Sequence, residues 1–197
     1  MGDDKTHARF LNMLSLLEHI GSRKIMLSQM KNELGRETLK HMAEETRHAF
    51  FFKHQAERLN GSPLGDFAPE HTLCPAAGRM YFGRLDAGLS KLLGPSAPAR
   101  AAYLWVSFII ELRAGWVYPF YEKMLAEKKI SLPNKSVIAE EEKHLEEMKN
   151  DLTQLGMMND ILFARAAALE TKLFTRLLGA LSAEVGSVES ACRAAHA

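Results

Sequence analysis

Apolar residues in this chain recur three and four positions apart over long tracts and nowhere keep up a strand-like alternation of period two. That periodicity rules out a sheet-built core and predicts an all-α fold. A first helix is expected from roughly Thr6 to Asn32, ending before Gly35, and a second from about Glu37 to Leu59. Asn60-Gly61-Ser62-Pro63 terminates the second helix. A third opens near Ala97-Pro98 and continues to about Lys129, with Pro119 expected to kink it. A fourth runs from around Pro133 to Leu155-Gly156. A fifth, capped by Asn159 or Asp160, carries a leucine-rich tract towards the C-terminus.

Loop lengths add topology. Short turns join the first helix to the second and the third to the fourth, so each pair is expected to be an antiparallel hairpin. Almost forty residues with five prolines separate the pairs, and a short helix at about Arg79 to Leu93 is expected inside that stretch. A connection of that length needs a reason, and a crossover to the other end of a four-helix bundle supplies one. No shift in composition marks a boundary, so residues 1–197 read as a single domain.

Polar residues interrupt the inward stripes at one position each. The first helix reads Leu11, Leu14, Glu18, Gly21, Ile25, and the second Met42, Glu45, Ala49, Phe52, Ala56, Leu59. The third reads Leu104, Phe108, Glu111, Gly115, Tyr118, and the fourth Ile138, Glu141, Leu145, Met148, Leu152. His48 and His144 each follow a stripe glutamate by three residues, on adjoining parts of one helical face. Random placement of the glutamates and eight histidines would give about 0.7 such ExxH matches, so the setting matters more than the match. The setting is a pattern, E…ExxH, that occurs twice. Buried carboxylates repel one another and cost several kcal/mol each unless compensated. Two divalent cations would balance four carboxylates, with both histidines neutral.

With these residues the chain resembles the ferritin-like di-iron carboxylate proteins, from Glu18 to His144. The tract IIELRAGWVYP is also similar to a core helix of aldehyde-deformylating oxygenases. The resemblance implies a ferritin-like four-helix bundle with a long crossover and an additional C-terminal helix. It implies that Glu18, Glu45 and His48 bind one metal, and that Glu111, Glu141 and His144 bind the other. Oxygen and nitrogen donors without sulfur suit iron or manganese, and the resemblance implies two iron ions as the cofactor, with manganese as the alternative. The implied activity is oxidation of a small or apolar organic substrate by O2, with an electron donor. Within the same fold a tRNA-modifying hydroxylase and a ferroxidase or storage protein are alternatives, and a metal-free helical interaction protein is a third.

Other residues have plainer expectations. Glu44, Glu140 and Glu142 fall off the stripe and are expected on a solvated face; His41, one turn before Glu45 on the same side of the helix, is expected to be partly exposed near the helix start, with support of a ligand from behind as the alternative. His19, His54 and His71 read as surface residues, Phe50 to Phe52 as packing against neighbouring helices, and Tyr118 as core. Gly21 and Gly115, one turn beyond stripe glutamates, mark either a local vacancy or close helix packing. The apolar face of the fifth helix, from Ile161 to Leu181, would cover the bundle, line a pocket or join a homodimer.

The formal net charge of +1 gives no field to attract nucleic acid or an anionic membrane. Two cysteines, Cys74 and Cys192, form no CxxC pair, which fits a reducing cytoplasm. The polar start MGDDKTHA does not read as a secretory leader, and its formal match to a myristoylation pattern at Gly2 and Thr6 lacks a polybasic partner. The apolar tract AAYLWVSFII is too short to span a bilayer, so no membrane partner is expected.

Overall fold

A computed structural model of the chain describes residues 3–28 and 35–195, with side chains at all of these except 28, 99 and 188–195. Among the described residues there are six α-helices and no strand: α1 (Asp4–Ser28), α2 (Arg36–Asn60), α3 (Pro75–Leu93), α4 (Ala99–Glu127), α5 (Lys135–Gln154) and α6 (Asp160–Ala195). The expected end of the first helix at Asn32 lies outside the described residues. α3 starts four residues earlier than its periodicity indicated, with Pro75 in the first helical position, where a missing N–H costs nothing. α4 runs through Pro119 as one helix.

Local chemistry sets the helix ends. Asp3 Oδ1 accepts from the Thr6 amide at 2.6 Å, capping α1. Of the two expected caps for α6, Asn159 takes the role, its Oδ1 accepting from the Leu162 amide at 2.8 Å. α5 closes in a Schellman motif: Met157 N–H donates to Leu152 O and Gly156 N–H to Thr153 O, with Gly156 at φ 64°.

The described residues group into two compact units. One draws on Met1–Arg23, Glu45–Arg84 and Thr171–Ala197. Its core includes Leu11, Met13, Phe52 and Leu73, all essentially without exposure. The connection after α2 is pinned here by side chains: Asn12 Nδ2 donates to His71 O at 2.9 Å, and Lys53 Nζ donates to Asp66 O at 3.1 Å. Burial pushes the Lys53 ammonium below its ordinary pKa, and its charge lies 4.6 Å from the centre of the Phe67 ring.

The other unit comprises Lys24–Glu44 and Leu85–Glu170. α4 and α5 pack against each other within it. Four consecutive α4 residues, Tyr103 to Val106, are buried, so this helix is covered on more than one side. On α5 the buried face is Val137, Glu141, His144, Met148 and Leu152. It is therefore rotated slightly from the expected stripe, and Ile138 and Leu145 are only partly covered. Gly88 is the close-approach point: a Cβ there would come within 2.5 Å of Leu169 Cδ2.

Candidate metal centre

Each unit brings buried donors together. In the first, α1 supplies Glu18 and α2 supplies Glu45 and His48. Each offers a ligand atom within 4.8 Å of the other two. Glu45 and His48 are 5% and 1% exposed, while Glu18 is less deeply covered. Their spacing of three residues puts Glu45 and His48 on the same side of α2. Gly21 explains how the carboxylate fits: a Cβ at that position would lie 3.3 Å from Glu45 Oε2. Of the two readings of this glycine, the structure shows close approach, with the Glu45 carboxylate as the neighbouring side chain.

In the second unit, His41 on α2, Glu111 on α4 and His144 on α5 each offer a ligand atom within 4.8 Å of the other two. All three are buried, at 2%, 4% and 0% exposure. Glu141, also buried, places Oε2 3.5 Å from His144 Nδ1, too long for a strong hydrogen bond and short enough for two groups facing one cation. His144 Nε2 lies 2.9 Å from Glu44 Oε2. With Nε2–H donating to that carboxylate, the Nδ1 lone pair faces Glu141. A carboxylate behind a histidine in this way fixes the ring and raises its basicity. Lys40 Nζ, 3.6 Å from Glu44 Oε1, offsets part of the charge of Glu44.

Two residues here depart from their sequence-based expectations. Glu44 was expected on a solvated face, but it is largely covered and bonded to His144. His41 was expected to be partly exposed, but it is buried and its Nδ1 lies 2.9 Å from the Tyr103 hydroxyl. Tyr103 itself gave no signal beyond its place in an apolar tract. His41 precedes Glu45 by one turn, so helical spacing could have assigned it inward. Gly115 is exposed and marks no core vacancy. Of the three phenylalanines, Phe52 is buried, whereas Phe50 is 69% exposed and stacks on His54. Tyr118 is buried, as a core residue should be.

A pocket of about 260 Å³ opens in the second unit, lined by Glu37, Thr38, Arg100, Tyr103, Glu147, Met148, Asn150 and Asp151. Tyr103 therefore touches both this pocket and His41. Most of the lining residues carry charged or polar groups, and Arg100 pairs with Asp151 among them.

The buried His and Glu groups could hold a metal ion. Their chemistry fits a divalent first-row cation: carboxylate oxygens and imidazole nitrogens, with no thiolate among them. No helix of the described residues is long and apolar enough to cross a membrane. Comparison with family models, with curated proteins and with solved structures returned no match.

Proposed function

We propose that this chain is a di-iron oxidoreductase of ferritin-like architecture that uses O2 to oxidise a small organic molecule. The observation that carries the reading is the gathering of covered carboxylate and imidazole donors in each unit, Glu18, Glu45 and His48 in one and His41, Glu111 and His144 in the other, with Glu141 3.5 Å from His144. Apolar side chains at these positions would pack at no electrostatic cost. Buried carboxylates left uncompensated would each cost several kcal/mol, and two divalent cations would remove that cost. The two short-linked helix pairs on either side of the long α2–α4 connection support the ferritin-like arrangement.

In this reading, these carboxylates and imidazoles would hold iron, whose redox chemistry would act on O2 with electrons from an external donor. Iron is favoured over manganese by the imidazoles in the donor sets. Glu44 holds His144 in the tautomer that presents Nδ1. The pocket beside Tyr103 is the approach for a small molecule, and its size suits a compact substrate better than a long chain.

The test is anaerobic loading with Fe(II), followed by O2 and a chemical reductant. The wild type should take up O2 over repeated turnovers without accumulating ferric mineral, whereas mineral growth would make it a storage protein. Glu45→Ala and His144→Ala should each lose stoichiometric iron. Full occupancy in either variant would contradict the assignment.

A further inference from the structure

We infer that His41 is a direct metal ligand, a third imidazole that makes the two ion positions unequal. The inference rests on the metal-binding reading above and goes beyond its six residues. His41 lies where a ligand must: it is buried, its ring centre is 4.2 Å from that of His144, and its Nε2 is 3.7 Å from Glu111 Oε1. That last separation is too long for a hydrogen bond. Two donors each about 2.1 Å from one ion lie about 3 to 4 Å apart, which is the spacing observed. Tyr103 meets the other ring nitrogen at 2.9 Å. With Nδ1–H donating to the Tyr103 oxygen, Nε2 keeps its lone pair on the side of Glu111. Tyr103 is thus a positioning residue for His41, as Glu44 is for His144.

The consequence is a difference in metal preference. The cluster of His41, Glu111 and His144 offers two nitrogens, whereas Glu18, Glu45 and His48 offer one. Nitrogen-rich sites favour iron over manganese more strongly than carboxylate-rich ones. Iron should therefore enter the His41 cluster first, and under mixed supply manganese should be confined to the other.

X-ray absorption on the iron-loaded full chain tests this directly, because imidazole rings give a countable multiple-scattering signature. The wild type should show three imidazoles for every two ions, and His41→Ala should show two. His41→Ala should also weaken the tighter Fe(II) equivalent by about 100-fold or more, and Tyr103→Phe by about 10-fold. The wild-type count and Tyr103→Phe keep the question open to decision if His41→Ala does not fold. Two bound ions with only two imidazoles would overturn the role of His41 and leave the metal reading standing. A wild type that binds no iron would overturn both.

Discussion

A methyl group added at Gly21 would lie 3.3 Å from Glu45 Oε2, so the carboxylate would have to give way by a few tenths of an ångström. Alanine in a helix interior is favoured over glycine by about 1 kcal/mol. The two effects act on different states. Gly21→Ala should raise the thermal stability of the metal-free protein by up to about 1 kcal/mol and weaken metal binding by about 10-fold. Calorimetry and metal titration would read them separately, and unchanged binding would show that Glu45 is not held in place for a ligand. A second cluster, in the first unit, ties α6 to the start of α3. Arg9 pairs with Glu184, whose Oε2 accepts from the Cys74 amide at 2.9 Å and the Cys74 thiol at 2.8 Å. Burial and this bond push the Cys74 thiol up to about 12, which keeps it protonated and a poor nucleophile at neutral pH. Partial burial pushes the Glu184 carboxyl up, but the bonds from Cys74 and Arg9 outweigh it and hold the group below its ordinary value. The folded carboxyl therefore binds its proton more weakly than the unfolded one. Its contribution is full above about pH 5 and disappears as pH falls through the folded value. Glu184→Gln should cost about 1 kcal/mol at neutral pH, and the gap from wild type in a denaturation series should close in acid. A gap independent of pH would remove the charge from the explanation.

Helix ends show how far the sequence determines the elements. α4 ends like α5, with Ile130 N–H donating to Leu125 O and Lys129 N–H to Ala126 O, but the residue at positive φ is Lys129, at 56°. A side chain in that conformation costs about 1 kcal/mol relative to glycine. Lys129→Gly should therefore stabilise the protein by about 0.5 to 1 kcal/mol in urea, the gain being reduced by the freer unfolded chain. A loss would mean that the Lys129 side chain makes a contribution its exposure does not indicate. Gly156 and Asn159 made the corresponding breaks at α5 and α6 legible in the sequence, and Asn60-Gly61 did so for α2. The start of α3 was not legible, because Pro75 serves equally well in a loop and at the first position of a helix. Inward positions could be read on α1 and α2 but less well on α4, where buried residues occur on several sides and the three–four spacing loses its meaning. The two residues of the centre expected nearer solvent, Glu44 and His41, differ in how legible they were. Both are polar, but His41 lies one turn before Glu45 and its spacing alone could have placed it inward, whereas Glu44 lies beside the stripe and only its partner His144 on another helix shows why it is covered.

At the scale of the whole molecule, the sequence repeats one chemical pattern and the fold answers it twice. Each compact unit has buried carboxylate and imidazole donors within a few ångströms of one another, in a chain whose formal charge is only +1. Acidic groups enclosed in this way could hold metal ions, and the central proposal is that the folded protein binds two of them. Anaerobic titration of the full chain with Fe(II), followed by elemental analysis after desalting, tests it most directly. The account predicts a plateau at two ions per chain, and saturating iron that washes away without a stoichiometric remainder would contradict it.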